Sequence, residues 1–193
     1  MSQGVAVVSW LSHHFTYAEL APEAMIASRV TELLKQDAKL AVIFGSEFIQ
    51  LVDYVSPQDF DQLPKLLVTT VSLSSEPAPA SLLERVTVYV VLRWLEADTT
   101  RTEPWEPGLT TLARHICRIL GSTANRQLNT IMPAGTMVQL ARRGNVSAQG
   151  FTFRRDPAPD GARQIMNLVI PWEYEVTLDV DTQRIRTVVS AGG

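Results

Sequence analysis

The run Val86-Thr87-Val88-Tyr89-Val90-Val91-Leu92-Arg93-Trp94 places an apolar side chain at every even position. Its density of β-branched residues suits a pleated strand and disfavours a helix, and a period of two assigns it to a strand. The odd positions, Arg85, Thr87, Tyr89, Val91 and Arg93, are neither core-like nor plainly solvated. Such a strand belongs in the middle of a sheet, with one face under helices and the other partly covered, a neighbouring subunit being one source of cover. The alternation returns, longer and cleaner, from Met166 to Val180: Met166, Leu168, Ile170, Trp172, Tyr174, Val176, Leu178 and Val180 share one face. Asn167, Pro171, Glu173, Glu175, Thr177 and Asp179 populate the other, and Pro171, which has no N–H for a ladder bond, marks an edge or a bulge.

The remaining elements follow from these two strands. Pro22 suits a first helical position, and Ile26, Val30, Leu33, Leu34 and Asp37 fall on one stripe of a helix. Leu40 to Phe44 reads as a short strand ended by Gly45-Ser46, with Phe48 to Tyr54 continuing it after a bulge or turn. Ser56 to Pro64 reads as a loop and Lys65 to Leu73 as a strand. The proline-rich connection Ser74 to Ala80 is short enough to set that strand antiparallel to and beside the next. A second helix is expected from Pro107 to Leu120, with Gly121 as its stop and Arg114 and Arg118 one turn apart on its basic face. Further on, Thr136 to Ala141 reads as a strand, Arg142 to Asn145 as a turn and Val146 to Phe153 as a strand. The sum is an α+β fold: a mixed, mostly antiparallel sheet with two amphipathic helices on one face, a projecting β-hairpin and an N-terminal arm. The expected organisation is an arm over 1–21, a single domain over 22–189 and a flexible C-terminus over 190–193.

Chemistry is sparse. A net charge of −3 argues against nucleic-acid binding as a global property. The single Cys117 excludes an intrachain disulfide, which suits a reducing compartment. The run Val5 to Leu11 is too short for a membrane span and follows no basic residue, so a soluble chain is expected, with no membrane partner. His115 and Cys117, about 200° apart around a helix, do not converge on one metal, and His13-His14 lacks a spaced partner, so neither metal nor cofactor is expected. No nucleophile elbow, phosphate loop or dinucleotide turn occurs. Glu173, Glu175 and Asp179 project from one side of the last strand. That arrangement fits a solvated face, an acid and base pair, or an acidic stripe that keeps a passing polyanion from sticking. Arg142-Arg143 and Arg154-Arg155 bracket a short strand, and in a net acidic chain they suit an acidic protein neighbour as well as a plain solvated face.

The order of elements resembles the tail terminator, or tail-completion, proteins of long-tailed bacteriophages. The likeness rests on the early amphipathic helix from Ile26 to Asp37 and on Leu63-Pro64-Lys65-Leu66-Leu67-Val68-Thr69, where a proline introduces an apolar strand. It continues through Glu84 to Val90, the helix Leu109 to Leu120 and the closing strand Met166 to Leu178, covering roughly 22–180. The resemblance implies a non-enzymatic structural virion protein in the tail or neck, assembled in the host cytoplasm. It would form a ring, usually a homohexamer, that caps the tail tube, terminates tail polymerisation and presents a surface for head–tail joining. Its partners would be itself, the tail tube protein and head–tail connector or adaptor proteins. On this reading Arg142, Arg143, Arg154, Arg155, Tyr89 and Val91 become candidate intersubunit residues, and Glu173, Glu175 and Asp179 a lumen-facing stripe near DNA. The alternatives are another neck or baseplate component, or a small hydrolase or ligand-binding domain that uses Glu173 and Glu175.

Overall fold

The computed structural model describes residues 21–52, 63–70, 83–96, 106–131, 137–141, 143–146, 150–158, 161 and 163–178. Helix α1 (Pro22–Gln36) starts as expected on a proline, carries Glu23 in its first turn, and buries Ile26, Val30, Leu33 and Leu34. Asp37 then turns extended and caps the next helix, α2 (Ala38–Phe44): its Oδ1 accepts a hydrogen bond from the Leu40 N–H at 2.9 Å. This corrects the strand expected over Leu40 to Phe44. A strand would have turned Leu40, Val42 and Phe44 to one side, whereas Leu40 and Phe44 are buried and Val42 is 86% exposed. Burial one turn apart and a cap at Asp37 are helical features. Gly45, at φ +82°, ends α2 in a conformation that favours glycine. A short 3₁₀ turn (Ser46–Phe48) leads to β1 (Ile49–Leu51), the part of the expected extended segment that is strand among the described residues.

The main sheet adds β2 (Lys65–Thr70), β3 (Leu83–Glu96), β6 (Arg143–Val146), β7 (Thr152–Pro157) and β8 (Gln164–Thr177). Its order is β1-β2-β3-β8-β6, with β7 also on β8. Among the described residues only the β1–β2 pair is parallel. β2 and β3 are antiparallel neighbours, as the short proline-rich connection requires. β3 and β8 pair along their whole lengths, from Leu83 opposite Thr177 to Glu96 opposite Gln164. Between the two main halves of the chain lie α3 (Glu106–Gly121) and a two-stranded ribbon of β4 (Asn129–Ile131) and β5 (Met137–Gln139). Arg29 Nε donates to the Asn129 carbonyl at 2.8 Å and fastens the ribbon to α1.

The segment around the arginine pairs differs from the sequence reading. Arg143 to Asn145, expected as part of a turn, is strand, and the strand expected over Val146 to Phe153 is broken. Among the described residues β6 and β7 do not pair with each other in a hairpin; both pair with β8, β6 ending opposite Trp172 and β7 beginning opposite Val169, with Gly150 and Phe151 outside either strand. The hairpin that does form joins β7 to β8, closed by an Ala158 N–H to Arg163 carbonyl bond and by Gly161 at φ +66°.

All three helices pack on the even-numbered face. Ile26, Val30 and Leu34 of α1, Leu40 and Phe44 of α2, and Ala113, Ile116 and Leu120 of α3 meet Leu66, Val68, Val86, Val88, Val90, Leu92, Leu168, Ile170, Trp172, Tyr174 and Val176 in one core. Each Val, Leu, Ile or Phe side chain among them, fully buried, contributes about 1.5–3 kcal/mol. Trp172 and Tyr174 fill the space under β6, their ring centroids 6.4 Å apart. Glycine is required above them: a Cβ at Gly144 would lie 2.5 Å from Trp172 Nε1 and 2.6 Å from the Tyr174 ring. Gly144→Ala is therefore expected to destabilise the fold by about 1–3 kcal/mol through overpacking, read as a lower urea midpoint with unchanged slope.

Candidate assembly surface

The odd-numbered face of the sheet was expected to be half covered, and its centre is buried. Leu67 (1%), Val91 (4%) and Ile165 (0%) are enclosed there beside Thr69 and Thr87. Val91 is therefore interior and not available as surface: the register holds it between Leu67 and Val169. Tyr89, opposite Thr69 and Pro171, is half-buried. One polar row crosses this face, with Lys65 opposite Arg93, Arg93 opposite Asn167 and Asn167 opposite Arg154. Asp156 closes its outer end, accepting from Asn167 Nδ2 and Arg154 Nε at 2.9 Å each. Arg93 and Lys65 are buried, and neither is without a partner, as the cost of burying an uncompensated charge demands.

Glu173 and Glu175 do share a side of β8, both half-buried; Asp179 lies outside the described residues. The two carboxylates do not form an unbroken acidic field. Glu175 sits opposite Arg85 on β3 and Arg143 on β6, and Glu173 opposite Thr87 and Asn145. With its amide oriented to satisfy both ends, Asn145 accepts from Arg143 Nε at 3.1 Å. An open groove of about 470 Å³ beside β6 is lined by Gly121, Thr123, Arg126, Gln127 and Arg143, without either glutamate. Strand register thus places Glu175 in a row with Arg85 and Arg143 across three strands.

Arg143 and the pair Arg154-Arg155 lie apart, on β6 and on β7. Arg142 lies outside the described residues; Arg143, Arg154 and Arg155 are exposed. Strand β7 is exposed on both of its sides: Thr152, Phe153, Arg154 and Arg155 all face solvent, with Phe153 45% exposed. Every other long strand of the main sheet is mostly buried where its side chains are described. An exposed aromatic ring followed by two arginines on an outer strand is a composition enriched in protein contacts.

Two features escaped the sequence reading. Val42 and Ile43 (46%) form an exposed apolar pair on α2; once Asp37 is recognised as a cap, helical spacing exposes them. His115 of α3 lies 3.0 Å from Asp37 Oδ1, so a single carboxylate caps α2 and ties it to α3. Burial raises the Asp37 carboxyl, but the His115 hydrogen bond, the Leu40 N–H, the His115 charge and the Lys39 N–H outweigh it and hold the group below its ordinary 3.8. Cys117, two residues on, is pushed up to about 11 by burial, so its thiol stays protonated.

Among the described residues no group of three His, Cys, Asp or Glu side chains could hold a metal ion. No described helix is long and apolar enough to cross a membrane. No protein-family model matches the chain, and no curated protein sequence matches it.

Because folded Asp37 releases its proton more readily than the unfolded chain does, its carboxylate stabilises the fold at pH well above 3.8, and that contribution is lost as pH falls through the folded value. Asp37→Ala is expected to cost about 1 kcal/mol or more near neutral pH. The gap to wild type should narrow in acid, as measured by paired denaturation curves across that range.

Proposed function

We propose that this chain is a structural assembly protein, a tail terminator that forms a ring at the end of a phage tail tube, stops tail polymerisation and offers a surface for head–tail joining. The observation that carries this reading is β7, a strand of the main sheet whose Thr152, Phe153, Arg154 and Arg155 are all exposed while β2, β3 and β8 are mostly buried where their side chains are described. A sheet edge of that composition is suited to a protein neighbour, and a ring repeats it once per subunit, which multiplies weak contacts. The resemblance in element order supports the same reading, and the α+β fold with helices on one face accords with it. Neither Glu173 nor Glu175 lines the groove beside β6, which weighs against a hydrolase that uses them there. On this reading the protein acts in the tail or neck of the virion, without a cofactor, with tail tube and connector proteins as its neighbours.

The absolute mass of the purified protein by light scattering, with negative-stain images of the same peak, tests the reading. A ring, formed alone at high concentration or on added tail tubes, is the expected result. A strict monomer that does not bind tube ends would overturn it. Arg154→Glu with Arg155→Glu is expected to abolish ring formation or docking while leaving the circular dichroism spectrum unchanged.

A further inference from the structure

The charges of this chain are unevenly distributed along its sequence. Between positions 107 and 155 stand seven of its 17 Lys and Arg residues, every one an arginine, and none of its 20 Asp and Glu residues. The net charge of −3 is therefore a sum over two unlike parts, and it does not describe a surface built from this span alone. Four of these arginines fall on α3, on the turn after it and on β6, and α3 packs against β6 and β8. Arg114, Arg118, Arg126 and Arg143 are all exposed. The groove of about 470 Å³ beside β6 lies among them, and its lining residues, Gly121, Thr123, Arg126, Gln127 and Arg143, carry two guanidinium groups, a hydroxyl and an amide. No carboxylate and no apolar side chain lines it among the described residues. From Gly121 on its rim, Arg118 and Arg114 stand about 5 and 10 Å back along α3.

The arginines here are available to a ligand. No ion pair engages Arg126 among the described residues. Arg143 gives its Nε to Asn145, which leaves the two terminal nitrogens, the fork that grips an oxyanion. Glu175 is the cross-strand neighbour of Arg143, but it does not line the groove. The C-terminus of a helix repels anions, and at the end of α3 that repulsion is reduced, because Asn125 Nδ2 and the Ser122 N–H both donate to the Ile119 carbonyl, at 2.8 and 3.4 Å. Protein contacts centre on apolar and aromatic anchors, which this lining lacks. Phosphate contacts draw instead on Arg, Thr and Gln side chains, and the planar fork of arginine fits a phosphate. Cations continued along a helix from the groove suit a chain of phosphates better than one small ion. We infer that this arginine-rich surface binds the phosphate backbone of a nucleic acid, independently of base sequence, with one phosphate seated in the groove by Arg126 and Arg143. The inference does not depend on the assembly reading above, which rests on β7.

Fluorescence anisotropy of a labelled DNA, once as a duplex and once as its single strand, titrated with the full chain at several salt concentrations, tests it. Binding to either form is expected, falling steeply as salt rises and unchanged for a DNA of scrambled sequence. Arg126→Gln, an exposed change that should keep the wild-type melting curve, is expected to weaken binding about tenfold and to lower the logarithmic salt slope by about 1. Adding Arg143→Gln should lower the slope by about 1 more. No anisotropy change at low salt with either DNA overturns the inference, as does an Arg126→Gln variant that binds with wild-type affinity and slope. Poly-glutamate that competes as well as unlabelled DNA also overturns it, since the groove would then take an acidic protein segment. Arg126 lies apart from β7, so its variant reads the groove without touching the strand that carries the assembly reading.

Discussion

The antiparallel pairing of β3 with β8 is the constraint to which the rest of the sheet is referred. Each strand is 14 residues long, and they pair from end to end. Because side chains alternate, a slip of one residue would send Val86, Val88, Val90 and Leu92 to the face opposite Trp172 and Tyr174, and would expose half the core. The other face enforces the same register, since it brings Arg93 alongside Asn167, whose amide is already held by Asp156. Every remaining strand of this sheet is placed relative to that pair: β2 on β3, β1 on β2, and β6 and β7 on β8.

Much of this frame was legible in the residues. The even-position alternations located both central strands, and the stripes from Ile26 to Leu34 and from Leu109 to Leu120 located two helices. What failed did so for physical reasons. Leu40 to Phe44 is five apolar residues in a row, too short for periodicity to separate helix from strand, and the deciding group, Asp37, lies outside the run. Gly144-Asn145 has the composition of a turn, yet the glycine is there because Trp172 and Tyr174 leave no room for a Cβ. The burial of Arg93 depends on strands distant in sequence, and nothing local signals it.

The candidate surface was legible in part for the same reason. Arg154 and Arg155 announce themselves as charged pairs, and their exposure follows from lying on an outer strand. Tyr89 and Val91 looked like spare surface only because the odd face appeared too polar to be an interior. Its polarity is organised: Lys65, Arg93, Asn167 and Asp156 form one row, and apolar Leu67, Val91 and Ile165 fill the spaces around it. Val42 and Ile43 were hidden by the strand assignment, which would have turned Val42 inward beside Leu40.

The break in the outer strand at Gly150 and Phe151 has a mechanical meaning. An unbroken outer strand would transmit any shift at Phe153 along its ladder to Gly144, and from there to the indole and phenol rings that β6 presses upon. The interruption divides that edge into two pieces with separate anchorage. β6 is locked by Trp172 and Tyr174 beneath it, while β7 is anchored by its ladder to β8 and by the bond from Asn167 to Asp156. A change at exposed Thr152 or Phe153 thereby answers a new neighbour without disturbing the packing around Gly144.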